Sequence, residues 1–156
     1  MSRAEKKSAA RLAAVQALYQ MELAATGVHD VVAQFESHWI GREIEGDQYK
    51  PAELALFRQL VEGVLEKQKL VDLEIDSVLS KGWPLRRIEA VMRAALRAGA
   101  YELMFMEHVP PKVTISEYVD ITRAFFGGDE TNMVNAVLDR LARDLRGAEL
   151  EAAKNS

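Results

Sequence analysis

The stretch Ile88–Met106, IEAVMRAALRAGAYELMFM, constrains the fold more than any other part of the chain. Ile88, Val91, Met92, Ala95, Leu96, Gly99, Leu103 and Met106 recur at three- and four-residue steps, the period of an α-helix. Ala90, Ala94, Ala98, Tyr101 and Phe105 run beside them, leaving a narrow polar stripe of Arg86, Glu89, Arg93 and Arg97. A helix apolar over most of its circumference must be surrounded by other helices. Its alanines and Gly99 let neighbouring backbones approach, and at 1.5 Å per residue it spans roughly 28 Å. His108-Val109-Pro110-Pro111 ends it, because proline lacks a donor and restrains the residue before it. Glu102 is the exception within the apolar sector. A buried carboxylate requires a partner, so a structural salt bridge or a helix cap is favoured over an external contact.

The remaining segments supply the surrounding helices. Ser2 and Glu5 have capping-box spacing, and a helix follows to about Ala25, closed by Gly27. A short helix is expected between Asp30 and Ile40, then a charged loop over Gly41–Lys50. Pro51 opens a third helix with Leu54, Phe57, Leu60, Val61, Val64 and Leu65 on one face. Leu70, Leu73, Val78 and Leu79 continue it, bent or as a separate helix, and Trp83-Pro84 leads into the central one. Thr114 and Glu117 form a second capping box, Gly127-Gly128 closes that helix, and Asp129 or Thr131 caps the last. No strand pattern occurs. The sequence therefore predicts an all-α single domain of about seven helices over residues 1–146, as two small bundles sharing the central helix. Residues 147–156 read as a polar, disordered tail.

Catalytic chemistry finds no foothold. The chain has no cysteine, and His29, His38 and His108 are scattered without metal-ligand spacing. Asp72, Glu74 and Asp76 point in diverging directions on a helix, as a solvated face does. No catalytic residues, metal site or cofactor are expected, and the chain is not read as an enzyme. No apolar run suits a membrane span and no signal-peptide pattern is evident, so a cytoplasmic location is expected.

Charge is more informative. The chain carries a net −4, yet residues 1–11 hold Arg3, Lys6, Lys7 and Arg11 against Glu5 alone. A basic end on an acidic body suits a polyanion in one place and a different partner elsewhere. Arg3, Lys7 and Arg11 stand one turn apart on one helical face, with Lys6 alongside. Gln16 and Tyr19 lie further along, and an amide with an aromatic ring can bond to and stack on unpaired bases. The plainer reading is a solvated helix end with Tyr19 in the core.

Four motifs then coincide in order. Arg11 with Ala14-Val15-Gln16-Ala17-Leu18-Tyr19 resembles the R-x-x-A-V-Q-A-L-Y segment of NusB-type transcription antitermination factors. Trp83, Arg87, Leu96-Arg97 and Tyr101-Glu102-Leu103 resemble that family's central helix. Val109-Pro110-Pro111-Lys112-Val113, with Ile115 and Glu117, is similar to its V-P-x-K-V-A-I-N-E turn, and Val134-Asn135-Ala136-Val137-Leu138-Asp139 to its F-V-N-G-V-L-D signature.

The resemblance implies an all-helical protein that binds single-stranded boxA RNA of ribosomal RNA leader transcripts. It implies as partners the ribosomal protein NusE and the RNA polymerase antitermination complex. The family's RNA contacts carry over to Lys7, Arg11, Gln16 and Tyr19. Met133 stands where a phenylalanine is common, with Asp129 in the turn before it, and Ser8 replaces a common basic residue. Ser116, Ala136 and Met92 also depart from the pattern. The alternatives are a scaffolding homodimer, or a module related to the N-terminal domain of ribosomal-RNA cytosine methyltransferases. The latter would require a second α/β domain, which this sequence does not display.

Overall fold

The structure is a computed structural model that describes residues 3–44, 51–79 and 84–154. Its helices are α1 (Arg3–Ala24), α2 (Val28–Ile44), α3 (Pro51–Val78), α4 (Ala90–Phe105), α5 (Pro111–Phe125) and α6 (Gly128–Lys154), with a 3-10 turn at Leu85–Arg87. The described residues contain no strand.

The expected central helix is α4, with Met92, Ala94–Leu96 and Ala98–Leu103 all buried. α1 and α3 pack with it as one group, and α5 and α6 pack with it as another. Two glycines set how closely these helices cross. A Cβ on Gly63 of α3 would stand 2.2 Å from the ring of Tyr101, so the α3–α4 crossing requires its absence. A Cβ on Gly99 would meet Leu138 at 3.0 Å and Tyr118 at 3.2 Å, a tight but less severe approach.

Several boundaries differ from the sequence expectation, each for a local reason. α4 begins two residues late, because the Glu89 carboxylate caps it, accepting from the Val91 N–H at 3.0 Å. Arg86 therefore sits on the preceding 3-10 turn, whose Leu85 N–H donates to Asp76 at 2.8 Å. α3 is one continuous helix, since no glycine or proline interrupts Val64–Val78. α2 runs through Ile44, into the expected loop; residues 45–50 lie outside the described residues, as do Ser2 and Trp83. Ala25, rather than Gly27, takes the left-handed conformation after α1, with φ 52°.

The N-terminal caps of α5 and α6 also differ from the sequence expectation. Pro110 caps α5 and Pro111 fills its first turn, where a missing N–H is harmless. Thr114 is consequently inside the helix, its N–H bonded to the Pro110 carbonyl at 3.3 Å and its buried hydroxyl without a hydrogen-bond partner among the described residues. In α6, Thr131 donates its hydroxyl to the Gly127 carbonyl at 3.0 Å, so it lies within the helix, and Asp129 lies in the first turn. The expected disordered tail is helical through Lys154, after a backbone break at Arg146 (φ −139°, ψ 34°). The buried Arg146 guanidinium donates to the Glu107 carbonyl at 2.8 Å and pairs with Glu149, while Leu150 packs on the core.

Candidate nucleic-acid interface

α1 changes character along its length. Ala4, Glu5 and Lys7 are exposed and Lys6 is half-buried. From Ala10 onward, Ala10, Ala13, Ala14, Ala17, Val15 and Leu18 are buried. Arg11 belongs to this second stretch. Ala14 and Leu18 follow it at three and seven residues, so all three share the core-facing side of the helix. The single face drawn through Arg3, Lys7 and Arg11 is thus the apolar face of α1, positive only where the helix extends beyond the core.

At Arg11 that face meets a carboxylate. Arg11 is 4% exposed, and its Nε and Nη2 donate to Glu102 Oε2 at 2.9 Å and Oε1 at 3.0 Å. Glu102 is 0% exposed and also accepts from the Tyr118 hydroxyl. Glu117 extends the cluster, 3.7 Å from Arg11 Nη1, and accepts from the Ser8 hydroxyl at 2.8–2.9 Å. The cluster joins α1, α4 and α5.

Burial works against the Arg11 charge, but the hydrogen bond and charge of Glu102, with Tyr118 and Glu117, outweigh it and raise the guanidinium pKa. Burial, then the Glu102 charge and hydrogen bond, push the Tyr118 phenol well above its ordinary value. Glu102 therefore takes the structural role expected for it. Arg11, expected as an RNA contact, lies in a core ion pair, its guanidinium hydrogen-bonded to Glu102 with the Glu117 carboxylate 3.7 Å away.

The other expected site residues do not form one patch. Arg3 opens α1, and its side chain lies outside the described residues. Lys7 lines a groove of about 530 Å³ with Arg11, Leu56, Gln59, Met106, His108 and Val109. Gln16 is exposed and Tyr19 is half-buried against the core, which is the plainer of its two readings. Nine residues are about two and a half helical turns, so Gln16 and Lys7 face opposite sides of α1. Asp129 and Met133 line another groove, of about 570 Å³, with Arg87, Ile88, Met92 and Phe126. None of the described residues lines both grooves.

Ion pairs the sequence did not disclose fasten the outer side of α4. Arg97 binds Asp72 through two bonds of 2.8 and 2.9 Å, and Arg93 pairs with Glu22. Arg93 also reaches the carbonyls of Leu85 and Ile88 before the helix start. Asp72 and Asp76, read as a solvated face, instead tie α3 to α4 and to its entry turn. Among the described residues no group of His, Asp or Glu is arranged to hold a metal, and no helix is long and apolar enough to cross a membrane.

The chain matches the model of the NusB family over residues 8–143. It is 60% identical over 148 residues to the transcription antitermination protein NusB of Bradyrhizobium sp. (strain ORS 278), covering 95% of this chain and 88% of that one. To the protein of the same name from Nitrobacter hamburgensis it is 56% identical over 147 residues, covering 94% and 92%. Among solved structures, T. maritima NusB superposes with a TM-score of 0.78 at 27% identity, covering 93% of this chain and 96% of that one. A structure of the antitermination factors NusB and NusE with double-stranded RNA has a TM-score of 0.74 at 24% identity, covering 92% and 99%, a likeness of fold.

Proposed function

We propose that this chain, which belongs to the NusB family, is a transcription antitermination factor that binds leader RNA together with NusE. The observation that carries this reading is the 60% identity, across 95% of the chain, to a relative named for that activity. The charge distribution supports it. Lys6 and Lys7 stand at the end of α1 that extends past the core, and among the described residues neither ammonium is held in an ion pair. Phosphates are drawn to such an end by charge, while exposed Gln16 can bond to a base edge on the other side of the helix.

In this proposal the RNA is single-stranded and carries boxA. Lys6, Lys7 and the Arg3 end of α1 meet its backbone. Asp129 and Met133 form a second contact region, and Arg11 acts from within the core. The body of the chain without residues 1–11 is net −7, which favours a basic partner beside the RNA. NusE then completes the positive track, and the assembly acts with RNA polymerase in the cytoplasm. No covalent step belongs to this function.

The test is a titration of labelled boxA RNA with this chain, with NusE, and with both, at one salt concentration. Coupling of about 1–3 kcal/mol, or about 5–150-fold, is expected. By linkage, the RNA must tighten NusE binding by the same factor. Binding no tighter with both proteins than with the better one alone would refute the partner reading. Tighter binding to a duplex than to the single strand would refute the single-strand assignment.

A further inference from the structure

Resting on the reading that the Lys6–Lys7 end of α1 meets RNA, we propose that buried Glu102, through Arg11, is a positioning residue for RNA binding. It fixes the rotation of α1 about its own axis, and so decides where Lys6 and Lys7 stand.

The basic end of α1 lacks large apolar side chains in the core. The core-facing surface of the helix at Ala10, Ala13, Ala14 and Ala17 is a row of methyl groups. Toward the basic end only Ala9 and Ala10 reach the core, the larger Leu12, Val15 and Leu18 lying further along, so apolar packing defines the rotation of that end poorly. Arg11 supplies the missing direction. Two parallel N–H···O bonds to Glu102, at 2.9 and 3.0 Å, hold a planar guanidinium in one orientation, which a single ammonium could not do.

Glu102 is itself fixed. It sits in the last turn of α4 and accepts from the Tyr118 hydroxyl of α5. One turn before Arg11, Ser8 donates to Glu117, also on α5, so a second bond resists the same rotation nearer the basic end. Lys7 lies four residues before Arg11 and next to Ser8. Its direction therefore follows from these two fastenings, although Glu102 is 0% exposed and can touch no RNA.

The experiment measures binding of a fluorescein-labelled single-stranded boxA RNA across a salt series. Losing one phosphate contact to single-stranded RNA should flatten log affinity against log salt by about 0.7, whether the lysine is removed or turned away. Glu102→Gln is expected to bind about fivefold or more weakly, and both it and Lys7→Ala to flatten the slope by about 0.7; a positioning role differs from a separate contact in how the two combine.

The two substitutions should be non-additive, Lys7→Ala weakening binding less in the Glu102→Gln background than in the natural one. Overall destabilisation alone would leave them additive, and additivity would overturn the proposal. Should Glu102→Gln fail to fold, the paired variant Arg11→Met with Glu102→Leu keeps the site apolar and paired in volume. It is expected to bind weakly with a flattened slope and to make Lys7→Ala nearly silent. Natural affinity in that variant, or a further flattening of about 0.7 on adding Lys7→Ala, overturns the proposal, the latter by making Arg11 a phosphate ligand independent of Lys7. If Lys6→Ala with Lys7→Ala leaves affinity and slope unchanged, the RNA does not use this end of α1. The underlying reading then fails, and the proposal with it.

Discussion

Arginine–carboxylate pairs fasten α4 on two sides, and the two sides place the same chemistry in different surroundings. On the inner side Arg11 and Glu102 are 4% and 0% exposed, and a phenol completes the site. On the outer side Arg97 and Asp72 make a geometry just as bidentate, but at 16% and 27% exposure. Bond lengths do not separate the two. Solvent does: water can replace a lost partner at the rim and cannot do so inside. The inner pair therefore specifies one arrangement of three helices, while the outer pairs add modestly to an arrangement already made.

The largest effect is expected from Glu102→Ala, which leaves the Arg11 charge buried and without its main partner. A loss of about 3–5 kcal/mol should appear in denaturant unfolding. Replacing both partners by apolar residues, Arg11→Met with Glu102→Leu, should restore most of it, since the penalty arises from the unpaired charge. A double variant as unstable as the single one would show that the pair itself, rather than its imbalance, supplies the stability.

Next comes Tyr118→Phe, which removes a hydrogen bond to a charged group and should cost about 1.5–3 kcal/mol near neutral pH. Its pH dependence has a definite sign. Burial and Glu102 raise the phenol pKa in the folded chain, so folding favours the protonated form. That contribution is complete below the unfolded phenol pKa of about 10 and is lost as pH rises toward the folded value above it. Stability of the natural chain should thus fall above about pH 10, and Tyr118→Phe should remove the tyrosine part of that fall. Melting curves from pH 8 to 11 measure both.

A smaller effect belongs to the outer pair. Asp72→Ala should cost about 0.2–1 kcal/mol, and the loss should shrink at high salt because the site is partly solvated. A salt-independent loss of several kcal/mol would place this pair with the inner one. Smallest of all is Asp139→Ala, which breaks the exposed i, i+4 pair with Arg143 on α6 and should change stability by about 0.3–0.5 kcal/mol.

The same contrast explains what could be read in the sequence. Apolar periodicity located α4, and the helical wheel showed Glu102 to be inward. Its partner lay 91 residues earlier, and no local pattern links Glu102 to Arg11 across that distance. Arg11 carried a legible signal of its own, since Ala14 and Leu18 follow it on one face. Spacing from Arg3 and Lys7 suggested the opposite reading, because charge alone does not tell where a helix leaves the core. At Thr114 the cause is different: Pro110 and Pro111 start α5, so the T-x-x-E spacing falls inside the helix. Lys7 and Gln16 are both exposed as an interface requires, yet half a turn apart, and that follows from counting residues.

The structure seats the Arg11 guanidinium in the core, bonded to Glu102. The direct measurement is the Nε–H resonance of Arg11 in a heteronuclear NMR spectrum, assigned by its loss in Arg11→Lys and followed during titration with boxA RNA. A proton bonded to Glu102 and shielded from water should exchange slowly, remain visible at pH 8, and move little with salt or RNA. An Arg11 Nε–H that exchanges rapidly in the free protein and becomes protected only when RNA is added would contradict the account.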